Sequence, residues 1–147
     1  MTFLKTGFLS ALAVGFIIAA SQAAEESARY QSLLTPLLET ETDIIGQPIV
    51  YPSGTPKVTS AIVVIPPGED TGWHTHEVPL LVHVLDGTVT VDYGDKGTNV
   101  YEAGETFMEA MNWLHNGINK GDVPVRILVV YMGSEDKTNT VTAPGPQ

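Results

Sequence analysis

Three of the four histidines in this 147-residue chain fall in one stretch, GWHTHEVPLLVHVLDG (residues 72–87), and two of these, His74 and His76, are separated by a single threonine. In an extended chain residues i and i+2 project to the same side, so both imidazoles can reach one ion. A histidine pair alone is a weak signal. It gains force from His115, which lies in a second turn-rich segment further along. His83 has the wrong parity: regular alternation sends it to the face opposite His76, where it reads as a packing or interface residue. There is no cysteine, so disulfides, thiolate ligands and a cysteine nucleophile are excluded and any chemistry comes from oxygen and nitrogen groups. Among the carboxylates, Glu109 ends the run ETFME. Alternation from Phe107, the natural inward residue, turns Glu109 inward as well. There it is either a ligand or general base, or a buried carboxylate satisfied by local donors. Glu77 faces away from His76 in a regular strand and is then a solvated rim residue, unless Pro79 forces a bulge.

The elements that must position these residues are short. From Pro48 onward the chain consists of runs rich in Val, Ile, Thr and Tyr, punctuated by PSGTP, PPGED, LDG, YGDKG, EAGE and NKGD. Strands at that spacing with Gly and Pro turns predict an all-β sandwich or barrel. The expected strands are Val58–Ile65, Trp73–His76, Leu80–Leu85, Thr88–Asp92, Thr98–Tyr101, Glu105–Glu109, a short one near His115, and Pro124–Met132. Asp86-Gly87 and Gly94-Asp95-Lys96-Gly97 read as hairpin turns. Ala61–Ile65 and Val125–Met132 are apolar at nearly every position, which predicts cover on both faces, supplied either by an N-terminal arm or by a second copy in a homodimer.

The histidines stand in a recognisable frame. Gly68, then five residues, His74-Thr75-His76, and later Gly87 follow one spacing; Gly104, then Ala110, Asn112, His115 and Asn119 follow another. The pattern resembles the two motifs of the cupin superfamily. The first is a glycine, five residues, His-x-His, a glutamate three or four residues on, and a glycine after six more. The second is a glycine, five residues, Pro-x-Gly, two residues, histidine, three residues and asparagine. The resemblance spans Gly68–Asn119 without a gap and implies a single-domain cupin: a jelly-roll barrel of antiparallel strands with His74, His76 and His115 as metal ligands. Two departures stand out. The motif glutamate would fall at position 80, which is Leu80, and the proline and glycine of the second motif are Ala110 and Asn112. Asparagine tolerates left-handed backbone, so that turn can survive. Glu109, Glu77 or water remains to complete the coordination.

Three imidazoles with a carboxylate or water suit one borderline divalent ion: Fe, Mn, Zn, Ni, Co or Cu. Such a centre acidifies a bound water and attracts a small oxygenated molecule. The expected lining is apolar and aromatic, with Trp73, Leu80, Val82, Phe107, Met111, Trp113 and Tyr131; Leu80, Phe107 and Trp113 are the candidates for touching a substrate. The expectation is a metal-dependent enzyme acting on a small oxygenated organic molecule, dioxygenase-like chemistry first and lyase or isomerase chemistry next. The alternative is a non-enzymatic cupin that holds a metal or small ligand.

Charge narrows the partners. Formal net charge is −10, and all 17 acidic residues lie beyond residue 24. Such a surface repels phosphate backbones and anionic lipid headgroups, so neither nucleic acid nor, in the mature form, a membrane is an expected partner. Residues 1–23 have Lys5 near the start, a charge-free run from Thr6 to Ala24, and Ser21 and Ala23 placed as a small-residue cleavage site. That is the layout of a signal peptide and predicts a periplasmic or secreted protein; an uncleaved anchor is the other reading. The expected organisation is leader 1–23, arm or short helix 24–47, barrel 48–133, and a flexible polar tail 134–147.

Overall fold

A computed structural model describes residue 22 and residues 25–146. The expected leader lies outside the described residues. The chain divides at residue 36. In the first unit residues 25–31 form a short helix.

The second unit is all β, with antiparallel pairing between its strands. It contains β1 (Pro56–Ile65), β2 (His74–Thr75), β3 (Leu80–Asp86), β4 (Thr88–Asp92), β5 (Thr98–Glu102), β6 (Thr106–Met108), β7 (Asn116–Ile118), β8 (Val125–Ser134) and β9 (Val141–Thr142). Three sheets result, with strand orders β1-β8-β3-β6, β5-β4-β7 and β2-β9. The first two face each other as a jelly roll, and period-two alternation supplies the core between them. Register places Ala61, Val129, Val82 and Phe107 in one row across the larger sheet. From the other sheet Val89 and Val91 point to the same interior, and both are buried.

Several expectations need correction. Asp86-Gly87 does not close a hairpin, because β3 and β4 belong to different sheets; it hands the chain from one to the other. Gly87 has φ 78°, and a Cβ there would meet the Pro124 carbonyl oxygen at 2.9 Å, so the crossing requires glycine. Gly94–Gly97 does form a hairpin turn, between β4 and β5. Among the described residues the outer face of β1 carries exposed Val58, Ile62 and Val64. Residues 43–47 are tied to the barrel, where Ile44 donates its amide to the Met108 carbonyl. There the Asp43 carboxylate accepts the amides of Ile45, Gln47 and Met111.

The polar tail is not free either. Val141–Thr142 pairs with His74–Thr75 as β9. Sequence reading missed it because an edge strand held by main-chain hydrogen bonds needs no apolar run.

Candidate metal centre

The two-residue strand β2 and the turn before β7 bring the histidines together. His74 and His115 exchange both backbone hydrogen bonds at 3.0 Å, which makes them direct cross-strand neighbours. His76 bridges to Met111, and its carbonyl accepts the Asn112 amide at 2.8 Å. Asn112 has φ 52°, the one non-glycine residue with positive φ among those described. That turn aims the following backbone so that His115 returns beside β2. The ring centroids of His74 and His115 are 4.4 Å apart, those of His74 and His76 4.9 Å, and those of His76 and His115 5.0 Å.

The backbone fixes which nitrogen of each ring faces inward. Nδ1 of His74 donates to the Gly72 carbonyl at 2.7 Å, Nδ1 of His76 to Asn139 at 2.8 Å, and Nδ1 of His115 to Trp113 at 2.8 Å. A carbonyl only accepts, so each Nδ1 carries the proton and each Nε2 is left with a lone pair. One nitrogen from each ring lies within 4.8 Å of the others. Nε2 of His115 is buried and without any hydrogen-bond partner. Leaving such an acceptor unsatisfied costs about 1–3 kcal/mol, and a cation is the partner that the set of three lone pairs fits.

Burial also keeps the rings neutral. It lowers the pKa of His74, with a further lowering from His115, against the opposing pull of the Gly72 carbonyl and Glu109. Burial brings His76 down to about 3, with His115 and His74 adding to the effect, and it lowers His115 despite the Trp113 carbonyl. A neutral imidazole is the form that binds a metal. Oε2 of Glu109 lies 3.9 Å from Nε2 of His115. With the ring neutral this is not an ion pair: two acceptors face each other, an arrangement relieved by a proton or a cation between them. Burial raises Glu109 to about 7, opposed by the Ala110 amide, the Tyr93 hydroxyl and His74. Its Oε1 is engaged by the Ala110 amide at 2.7 Å, which leaves Oε2 toward the histidines.

These side chains line one end of a cavity of about 60 Å³. The remaining wall is mostly apolar and includes Leu80, Val82, Phe107, Val89 and Val129, with Thr71 and Tyr131 as its hydroxyl-bearing members and no Lys or Arg among the lining residues.

Comparison with known proteins agrees with this architecture. A family model described as "Cupin domain" matches residues 61–131. The chain carries a cupin domain. Among solved structures, the cupin chain is similar to the oxalate decarboxylase of Lactobacillus farciminis in a formate complex (TM-score 0.51, 22% identity, 58% of this chain and 26% of that one). It is also similar to an oxalate oxidase (0.51, 24%, 60% and 52%). A third is an uncharacterized conserved protein with a double-stranded β-helix domain from Klebsiella pneumoniae (0.52, 15%, 73% and 100%). At these identities the likeness is one of fold, and this cupin matches only about a quarter of the decarboxylase and half of the oxidase. No curated protein sequence matches it.

The cupin structure sorts the sequence candidates. His74, His76 and His115 converge. Glu109 stands beside them, carried one residue past β6 because its amide still bonds to the Leu80 carbonyl at 2.9 Å. Leu80 and Phe107 line the cavity, as do Val82 and Tyr131. Trp113 does not. The left-handed turn at Asn112 sends its indole to the far side, where Nε1 donates to the Tyr93 carbonyl at 2.9 Å and the Lys96 ammonium sits 5.3 Å from the ring. Trp73 and Met111 are also absent from the lining, and Trp73 packs beside Gly145. His83 is on the outer face, bonded to the Thr106 hydroxyl at 2.8 Å. Glu77 accepts the Thr138 amide at 2.9 Å rather than turning to the histidines.

Two participants escaped the sequence reading. Tyr93 is buried with its hydroxyl toward Glu109; the alternation Val89, Val91, Tyr93 carries the signal. Asn139, the acceptor for His76, gave none, since it acts through its main chain.

Proposed function

We propose that this cupin is a metal-dependent enzyme acting on a small oxygenated organic molecule, with His74, His76 and His115 holding one divalent ion. The observation that carries the reading is the set of three Nε2 lone pairs, left by three backbone carbonyls that hold Nδ1, on rings that each bring a nitrogen within 4.8 Å of the others, with His115 Nε2 unpartnered. A divalent ion held there would act as a Lewis acid toward a chelating oxygen. The chain's own residues do the rest. Glu109, with Oε1 engaged by the Ala110 amide and Oε2 facing His115, is the further ligand or the proton acceptor. Leu80 and Phe107 hold the apolar body of the substrate and exclude water. Without a cationic wall residue, the cavity favours an uncharged or singly charged molecule over one with several carboxylates. Dioxygenase-like chemistry on such a substrate is the first reading.

Leu80 in place of the motif glutamate favours a second reading, a cupin that binds metal or ligand without turnover. Bound metal measured by mass spectrometry, with oxygen uptake against phenolics, diketones and small carboxylic acids, separates them. Stoichiometric metal with turnover supports the enzyme, metal without turnover supports the binding module, and a chain with no metal refutes the enzyme and leaves only a module that binds a small ligand.

The leader supports export, which N-terminal sequencing of the exported form tests. The open apolar face of β1 supports a homodimer, which light scattering tests.

A further inference from the structure

The C-terminal segment, residues 138–145, touches every residue of the short stretch that supplies two of the three histidines. The Thr138 amide donates to the Glu77 carboxylate at 2.9 Å. The Asn139 carbonyl accepts from Nδ1 of His76 at 2.8 Å. Thr140 Oγ1 lies 3.3 Å from the same nitrogen and donates to the Tyr131 hydroxyl at 3.3 Å. Val141 and Thr142 pair with Thr75 and His74, and the Ala143 amide donates to the Trp73 carbonyl at 2.9 Å. At Gly145 a Cβ would lie 2.7 Å from the Trp73 indole, so the absence of a side chain lets the backbone lie against the ring.

His76 is 2% exposed although the residues over it are largely exposed themselves. The segment therefore provides both the cover of His76 and the acceptor that fixes its tautomer. It is held by a two-residue strand and a few single hydrogen bonds, whereas β1 and β8 share a ten-residue ladder. Elements with so few buried apolar groups open well before the core does.

We propose that residues 138–145 are a strap that positions His76 and controls how tightly the centre holds its metal and how fast metal enters and leaves. The proposal rests on the metal-centre reading above. Asn139 and Thr140 are positioning residues in it, acting through His76. Outer-sphere acceptors of this kind change metal affinity by about 10- to 100-fold.

The test uses the full-length chain. Ala143→Pro removes the amide that bonds Trp73, and Gly145→Val drives a side chain into the indole; together they lift the strap, which lost exchange protection at the Thr138 amide verifies. Because the chain has no cysteine, Thr75→Cys with Val141→Cys, which are register partners, can clamp the strap back in the oxidised state. Co²⁺ and Zn²⁺ affinity and release rate are measured against a competing chelator, and imidazole tautomers are read by ¹⁵N NMR in the metal-free protein. The expected result is an affinity loss of about 10- to 100-fold with faster release, restored by the oxidised clamp and lost again on reduction. His76 alone passes from a pure Nδ1–H tautomer to a mixture. Unchanged affinity and an unchanged His76 tautomer with the strap lifted would overturn the proposal. If the unaltered chain takes up no metal, the metal reading fails and the tautomer alone decides. If the double variant does not fold, Gly145→Val alone decides by the same readouts, an unaltered His76 tautomer and metal affinity with the Thr138 amide unprotected again overturning the strap.

Discussion

His76 and His83 lie seven residues apart on the same stretch, each with Nδ1 in a 2.8 Å hydrogen bond, yet their surroundings differ in two ways that matter. The acceptor for His76 is a carbonyl, which fixes the proton on Nδ1. The partner of His83 is the Thr106 hydroxyl, which can donate or accept and fixes nothing. His76 is buried beside two other rings, whereas His83 sits half-buried on the outer sheet face. What fits an imidazole to be a ligand here is a backbone that dictates its tautomer and a burial that keeps it neutral.

The comparison can be broken most forcefully by truncating one ring on each side. His115→Ala removes the unpartnered nitrogen, and metal affinity should fall by more than about 100-fold, measured as metal per chain, while the circular dichroism of the β fold persists. His83→Ala should leave the metal content unchanged. Equal loss in both variants would mean that strand parity does not choose the ligands.

Acid sharpens the same contrast. His76 titrates near 3 in the fold and near 6.5 when unfolded. As pH falls through that window the unfolded chain takes up the proton first, so stability falls with it, by up to about 1.4 kcal/mol per pH unit from this residue. Urea unfolding of the metal-free protein from pH 7 to pH 4 should show that slope, and His76→Gln should flatten it. Glu109 has the opposite sign. Its folded pKa of about 7 exceeds the ordinary 4.5, so its contribution is full below 4.5 and is lost as pH rises toward 7. Glu109→Gln should therefore stabilise the metal-free protein above pH 7, by up to about 3 kcal/mol, while lowering turnover of the loaded protein more than its metal content. A smaller effect lies outside the site. Gly87→Ala meets both a positive φ and the Pro124 carbonyl, and should cost about 1–2 kcal/mol in urea unfolding without altering metal stoichiometry.

How much of this was legible depended on what each feature is made of. Side-chain alternation was readable: the inward rows of the larger sheet, the shared face of His74 and His76, the outward His83 and the inward Glu109 all follow from parity. The left-handed turn at Asn112 followed from residue type. Features built from main chain were not readable. β9 has two exposed residues and no apolar signature, so the segment that covers His76 looked like a loose tail. Trp113 was misplaced because parity fails across a left-handed turn, and Asp86-Gly87 because a turn sequence does not say whether the next strand returns to the same sheet. The apolar run of β1 predicted cover that the described residues do not supply, since Val58, Ile62 and Val64 remain exposed among them.

The central claim is that imidazoles 74, 76 and 115 grip one ion through Nε2. X-ray absorption on the metal-loaded protein tests it most directly. The account predicts three imidazole nitrogens at about 2.0–2.1 Å if the ion is zinc, with the imidazole signal reduced in His115→Ala. A bound ion surrounded by oxygen alone, or a spectrum unchanged in that variant, would contradict it.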